Sequence, residues 1–279
     1  MSAPTAWPAP AKLNLFLHIT ARRPDGYHEL QTVFQLIDLA DDIHIQVRAD
    51  GLIERQAGPP GVPAEADLVV RAARALQSAA AVRQGASLSI TKRIPMGGGL
   101  GGGSSDAATV LVALNQMWKC GLNEDDLADI GVKLGADVPV FVRGHSAWAE
   151  GRGERLTAVK LPETWFALVH PQVHVPTAAV FQAPELTRNS PPITMGGFLQ
   201  SGGRNDFEPV VRTRYPEVAR ALDWLGHFAP ARLTGTGSCI FAPCAAENEA
   251  QDIVTRVPAP WRGIVARGMN VSPLLALRA

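Results

Sequence analysis

Pro95-Met96-Gly97-Gly98-Gly99-Leu100-Gly101-Gly102-Gly103-Ser104-Ser105 is the stretch from which the rest of the chain can be read. Six of the seven residues from Gly97 to Gly103 are glycine. No Cβ shields the backbone there, so a ligand can approach the N–H groups closely. Ordering so permissive a segment costs conformational entropy, which argues against a plain connector, although a loop that only turns the chain is the bland alternative. Upstream, Ala86 to Ile94 alternates as a strand does, through Leu88 and Ile90, and stops at Pro95. Downstream, Ser104 to Trp118 has helical periodicity. Ser104, Ser105 and Asp106 are N-cap types there, and Ala107, Ala108, Val110, Leu111, Ala113, Leu114 and Met117 supply apolar faces. Strand, glycine loop and helix N-terminus together make an anion cradle, most often one for phosphate.

Three glycine-rich phosphate loops compete for this stretch. A Walker loop ends in Gly-Lys-Ser/Thr, but Gly103 runs straight into Ser104. A dinucleotide-binding G-x-G-x-x-G fits at Gly97, Gly99 and Gly102. However, the preceding strand alternates instead of running apolar, and Glu124 and Asp125 open a helix where an acidic strand end is required. The third pattern, P-x-G-x-G-L-G-x-x-S-S, resembles the signature of the galactokinase, homoserine kinase, mevalonate kinase and phosphomevalonate kinase (GHMP kinase) superfamily.

The chain has 279 residues, enough for one large or two ordinary domains. Apolar residues make up 46% and charged residues 19%, a globular composition. Lys plus Arg is 26 and Asp plus Glu is 26, so no basic excess exists to follow a nucleic-acid backbone. Cys120, Cys239 and Cys244 have no metal or redox spacing and read as buried thiols in a reducing compartment. Neither a secretory leader nor an apolar run long enough to span a membrane stands out, so a soluble cytoplasmic protein is expected, without a membrane partner.

In chain order, Leu13, Leu15, Leu17 and Ile19 alternate with Lys12, Asn14, Phe16 and His18. Lys12 and Asn14 share a strand face and can point together into a cleft; a solvated outer face is the alternative. Arg23–Gly26 reads as a turn, and strand patterns follow through Phe34 and Ile37, then through Ile43, Ile45 and Val47. The Gly/Pro-rich 51–63 reads as a surface loop, and Asp67 as the cap of a helix over 68–81. Asn123 caps a short helix through Leu134, ended by Gly135. Pro139 pushes Val138 to an extended conformation, which places Asp137 at a helix-to-strand corner among apolar neighbours. A carboxylate there either bonds nearby backbone N–H groups or does chemistry. Strands are expected at 165–169, 239–242 and 263–266, with helices from Pro176-Thr177 through Phe181, from Asn205, and over 216–227 and 247–256. The 184–204 stretch reads as a mobile loop, and Leu233–Ser238 as a second glycine turn. The pattern indicates an α+β chain divided near residue 160, into 1–160 and 161–279.

Further motifs narrow the resemblance. Pro10-Ala11-Lys12-Leu13-Asn14-Leu15, Pro24-Asp25-Gly26-Tyr27-His28, Gly135-Ala136-Asp137-Val138-Pro139-Val140-Phe141, Asn205-Asp206-Phe207-Glu208 and Thr234-Gly235-Thr236-Gly237 resemble, in order and over nearly the whole chain, the bacterial 4-diphosphocytidyl-2-C-methyl-D-erythritol kinase family. The resemblance implies an N-terminal ribosomal-S5-domain-2-like domain, a C-terminal ferredoxin-like domain and a cleft between them. It implies transfer of the γ-phosphoryl of ATP to the 2-hydroxyl of a CDP-linked methylerythritol, with Mg²⁺ bridging phosphate oxygens and ligands unassigned. Lys12 and Asp137 would be the catalytic pair, and Pro95, Met96, Gly97, Gly98, Gly99, Leu100, Gly101, Gly102, Gly103, Ser104 and Ser105 the ATP phosphate loop. Tyr27 and Phe181 would sandwich the cytosine ring, with His28 at its edge, and Asn14 and Thr177 would hold the rest of the substrate. The protein is expected as a monomer or homodimer.

Asp67 stands where the family pattern favours asparagine near the adenine, and Asp106 where an uncharged residue is frequent. Asp106 reads as a helix-start carboxylate turned from the ligand. Lys92 can approach the nucleotide or snorkel. Other superfamily kinases, a nucleotide-binding regulator without turnover and a dinucleotide-dependent oxidoreductase are the rival functions.

Overall fold

The computed structural model describes residues 6–277. β1 (Ala6–Arg22) and β2 (His28–Arg48) lie antiparallel, from Ala6↔His44 to Arg22↔His28. The expected turn joins them: Arg23 N donates to Tyr27 O (2.8 Å) and Gly26 N to Arg23 O (3.0 Å). β2 runs unbroken through the two apolar segments that the sequence presents separately. The simple alternation expected for β1 is interrupted, because its register with β2 shifts between Asn14 and Leu17. Such a bulge re-aims side chains. Leu17 and Ile19 enter one apolar cluster, while Phe16 packs in another against Trp148 and Phe198.

The 51–63 stretch is not all loop. β3 (Ile53–Ala57) pairs in parallel with a strand that follows later, β4, and only that partner makes it a strand. Between them lies α1 (Leu68–Ala79), capped as expected by Asp67, whose carboxylate accepts from Val69 N at 3.1 Å. β4 (Gly85–Thr91) leads through the glycine loop to α2 (Gly102–Met117). That helix begins at Gly102, not Ser104, because Gly101 is its N-cap, at φ +75°. α3 (Glu124–Val132) carries a capping box between Asn123 and Asp126. The extended segment expected after Asp137 is instead α4 (Val138–Arg143). Pro139 falls in its first turn, where a missing N–H costs no intrahelical bond. β5 (Ala147–Gly151) pairs with both β2 and β6 (Arg155–Ala158).

The second half runs β7 (Trp165–His170), α5 (Thr177–Phe181), α6 (Met195–Ser201), α7 (Glu208–Arg214), α8 (Pro216–Gly226), β8 (Arg232–Leu233), β9 (Ile240–Cys244), α9 (Glu247–Val254) and β10 (Arg262–Met269). α6 lies inside 184–204, read above as a mobile loop; its cap, Thr194, accepts from Gly197 N. The antiparallel order β10-β7-β9-β8 with helices between is the ferredoxin-like arrangement that the resemblance implies.

Burial follows from the faces these elements share. Val110, Leu111 and Leu114 of α2 pack with Val69, Ala72 and Leu76 of α1 and Leu88 of β4. In the second half, Val210, Val211, Val218 and Leu222 cover Ala167, Val169 and Ile240. The halves are interleaved: Leu17 and Ile19 of β1 join the second core, and Leu274 near the C-terminus joins the first. β10 also pairs with β2 at Gly268↔Ile37 and Met269↔Leu36, which fuses the two sheets. Among the described residues no helix is long and apolar enough to cross a membrane.

Asn205, buried, fastens the second glycine turn. Its Nδ2 donates to Leu233 O (2.9 Å) and Gly235 O (2.8 Å), and its Oδ1 accepts from Phe207 N (2.9 Å). Asn205→Ala leaves these backbone groups without their partner and is expected to cost about 1–3 kcal/mol in urea unfolding. Unchanged stability would exclude the fastening role.

Candidate active site

The glycine loop is docked on the second glycine turn through main-chain atoms. Ser238 N donates to Gly97 O and Cys239 N to Gly98 O, both at 3.1 Å. Gly99 has φ +73°, and a Cβ placed on it would lie 2.2 Å from Thr234 O. Gly101 would meet the Phe141 ring at 2.8 Å and Lys12 Cε at 3.2 Å. Glycine is therefore required by contact as well as by conformation. The loop delivers the chain into the N-terminus of α2, where unpaired N–H groups and the helix dipole favour an anion.

Lys12 is threaded into the underside of this loop. Its N–H donates to Leu100 O (3.0 Å), and its ammonium donates to Gly99 O (3.0 Å) and Asn14 Oδ1 and pairs with Asp137 Oδ2 at 3.3 Å. The Lys12 side chain is 3% exposed and that of Asp137 32%. A buried ammonium needs such a shell of oxygens. Asp137 is the residue before α4, but its side chain does not cap the helix and is left to the cavity. Asn14 is held by its N–H to Thr234 Oγ1 (2.9 Å) and its amide to Thr32 Oγ1 (3.0 Å).

Two adjoining cavities open from this point. One, of about 560 Å³, is lined by the loop from Pro95 to Ser104 and by Lys12, Asn14, Asp137 and Thr177. The other, of about 660 Å³, is lined by Tyr27, His28 and basic residues including Arg22, Lys133 and Arg188. Phe181 and Arg152 line both. Thr177 Oγ1 lies 3.0 Å from Thr236 Oγ1. In the second cavity the His28 and Phe181 rings stand 5.2 Å apart at 35°, and the Arg152 guanidinium sits 4.9 Å over the exposed Tyr27 ring. Burial, with the nearby charges of Arg188 and Arg22, holds His28 below the ordinary histidine value.

The pattern of the GHMP kinases N terminal domain matches residues 67–145, and that of the GHMP kinases C terminal matches residues 186–263. The chain is 55% identical over 275 residues to the 4-diphosphocytidyl-2-C-methyl-D-erythritol kinase of Alkalilimnicola ehrlichii, covering 99% of this chain and 94% of that one. It is 57% identical over 269 residues to the protein of the same name from Nitrosococcus oceani, covering 96% of each. The chain belongs to the 4-diphosphocytidyl-2-C-methyl-D-erythritol kinase family. A crystal structure of 4-(cytidine 5'-diphospho)-2C-methyl-D-erythritol kinase superposes with a TM-score of 0.83 at 33% identity, over 95% of this chain and 99% of that one. A mevalonate kinase with a TM-score of 0.71 and 16% identity, over 95% and 99% of the chains, shares the fold.

Several residues of this family member sit otherwise than the sequence suggests. Ser105 does not line the cavity; its hydroxyl donates to Pro10 O (2.6 Å) and ties α2 to β1. Asp67 lines the first cavity, but its carboxylate is engaged by Arg55 and by the start of α1. Lys92 neither snorkels nor stands free, because its ammonium is held between Asp41 and Asp106. Asp106 is thus no surface carboxylate: it lines the same cavity but is only 3% exposed, and its Oδ1 is buried without a hydrogen-bond partner. Burial, against the pull of Lys92 and with repulsion from Asp41, pushes its carboxyl up to about 7. Arg152 and Arg188 escaped the sequence reading, one inside a turn and the other inside the stretch taken for a mobile loop.

Gly99→Ala is expected to separate the loop from the second glycine turn, lowering the melting temperature and removing nucleotide binding in calorimetry. Asp106 predicts a pH effect. Its folded-state pKa lies above its unfolded value, so the native state holds the extra proton and Asp106 disfavours folding increasingly as pH rises from about 4 to about 7. The unfolding free energy of Asp106→Asn relative to the parent should therefore improve over that window and level off above it. A flat difference in urea titrations would exclude the assignment.

Proposed function

We propose that this protein transfers the γ-phosphoryl group of ATP to the 2-hydroxyl of 4-diphosphocytidyl-2-C-methyl-D-erythritol, in the non-mevalonate route to isoprenoid precursors. The observation that carries the mechanism is the Lys12–Asp137 pair, 3.3 Å apart, on the wall of the cavity that the glycine loop also lines. ATP is the co-substrate, with its phosphates along Pro95–Ser104 and the start of α2. Ser105 supports the loop from behind.

Phosphoryl transfer needs positioning and charge neutralisation more than covalent help from the protein. Asp137 accepts the proton of the 2-hydroxyl as that oxygen bonds to the γ phosphorus and the bond from phosphorus to the β–γ bridging oxygen breaks, releasing ADP. Lys12 orients the carboxylate and offsets charge on the transferring group. The cytosine ring lies by Tyr27 and Phe181 with His28 at its edge, and Asn14 and Thr177 hold the methylerythritol. Residues 1–160 carry the loop and the catalytic pair, and 161–279 contribute Thr177, Phe181 and the second glycine turn.

Mg²⁺ fits the residues present. Among the described residues no group of three or more acidic, histidine or cysteine side chains forms a metal cage. Mg²⁺ on a nucleotide requires only one or two carboxylates beside the phosphates. Asp106 is among the residues lining the cavity, and its Oδ1, buried and without a hydrogen-bond partner, is an oxygen of the right kind. When bound, the ion supplies neutralisation of β- and γ-phosphate charge.

A coupled ADP-release assay with Mg-ATP should show turnover with the cytidine substrate and none with mevalonate or homoserine; the reverse would discard the named substrate. Asp137→Asn and Lys12→Ala should each lower kcat by about a hundredfold or more while the circular dichroism spectrum is kept. Near-normal turnover would remove that residue from the mechanism.

A further inference from the structure

Arg188 lies in the irregular segment after α5, and its donors reach both walls of the second cavity. Nη2 donates to Phe181 O (2.9 Å) and Ala183 O (2.8 Å), and Nη1 to Leu186 O (3.0 Å). These carbonyls belong to the C-terminal end of α5 and the turn beyond it, where backbone acceptors have no intrahelical donor. The remaining side, Nε, donates to Nε2 of His28 at 3.1 Å, at the start of β2. The guanidinium is a rigid planar fork, so the four contacts fix one wall against the other. His28 and Phe181 are held in ring contact by the same residue that bonds the backbone of one and the side chain of the other.

The hydrogen bond also determines where His28 keeps its proton. Arginine only donates, and it stays protonated. The imidazole nitrogen facing it must therefore present a lone pair, which leaves the ring neutral with hydrogen on Nδ1. His28 lines the cavity, so the one ring hydrogen that it can offer a ligand is Nδ1–H. We propose that Arg188 is a positioning residue for substrate choice: it fixes the Nδ1–H tautomer of His28 and so selects a pyrimidine that presents an acceptor at N3. Cytosine has a lone pair at N3, whereas uracil carries N3–H and would set donor against donor. A mismatch of this kind discriminates strongly because it leaves buried polar groups unpaired.

Burial and the charges of Arg188 and Arg22 disfavour the imidazolium, in accord with the neutral ring. The other charged groups on this cavity are Lys133, Arg152 and Glu154. The inference rests on the cytidine reading above, and its test separates the two. The full-length enzyme, labelled with ¹⁵N-histidine and assigned with His28→Gln, is examined by ¹⁵N NMR at pH 8 without ligand. His28 should show a protonated Nδ1 and an unprotonated Nε2. In Arg188→Met, which has no N–H to donate, the ring should revert to the Nε2–H form that free histidine prefers, and Arg188→Lys, which keeps a donor, should restore the Nδ1–H form in part. In kinetics, Arg188→Met should raise KM for the cytidine substrate about tenfold with a smaller change in kcat, and lower its preference over the uridine analogue. An Nε2–H tautomer in the parent enzyme overturns the inference without recourse to any variant. A parent that prefers cytidine, with tautomer and KM unchanged in Arg188→Met, overturns the inference and leaves the substrate reading intact. A parent that does not distinguish cytidine from uridine overturns both.

Discussion

The contact on which the rest of the site depends is main chain against main chain: the glycine loop seated on the turn at Thr234–Cys239. Two backbones approach this closely only where side chains are absent, and Gly99 against Thr234 O is the tightest point. The contact joins segments more than a hundred residues apart and fixes three things together. It holds the glycine loop, it brings Thr234 Oγ1 to the backbone of Asn14 beside Lys12, and it sets the turn that Asn205 holds from the other side. The fused sheet gives the same result on a larger scale, because β10 belongs to the second half and pairs with β2 of the first.

Two lysines flank the loop, and their surroundings give them opposite characters. Lys12 is shared among a carbonyl, an amide oxygen and the half-exposed Asp137, so its strongest partner also faces the cavity. Lys92 is enclosed by Asp41 and Asp106, and Asp41 further accepts from Ile94 N at 2.9 Å. Its charge is consumed in anchoring β4 and the loop entry to β2 and α2. Buried charge is tolerated where its partners are also fixed. Main-chain N–H groups and the start of α2 can favour an anion without an ionisable side chain.

The second cavity shows how an irregular segment can be as specific as a helix. Residues 184–204 have the Pro, Gly, Ser and Thr content of a mobile loop. Yet Arg188 grips the end of α5 and Ile193 N donates to Gln31 Oε1 at 2.8 Å. Hydrogen bonds to distant residues order this segment, and composition carries no information about them.

Features set within a few residues were legible in the sequence. The glycine loop, the Arg23–Gly26 turn, the Asp67 cap and the Asn123 cap each follow from local conformational preference or from a bond to a near neighbour. The family motifs around Lys12, Tyr27, Asp137 and Thr234 were readable for the same reason, since each is a short run. What only the tertiary structure decided depends on partners far along the chain. β3 is a strand because β4 lies beside it, and Ser105 faces Pro10 because α2 starts at Gly102. α4 is a helix because Pro139 lands in a first turn and its apolar residues meet the core. Whether a lysine is a free cation or half of a buried ion pair depends on carboxylates such as Asp41, fifty-one residues from Lys92. Local sequence encodes conformational preference, but charge pairing and strand partnership exist only once the chain has folded.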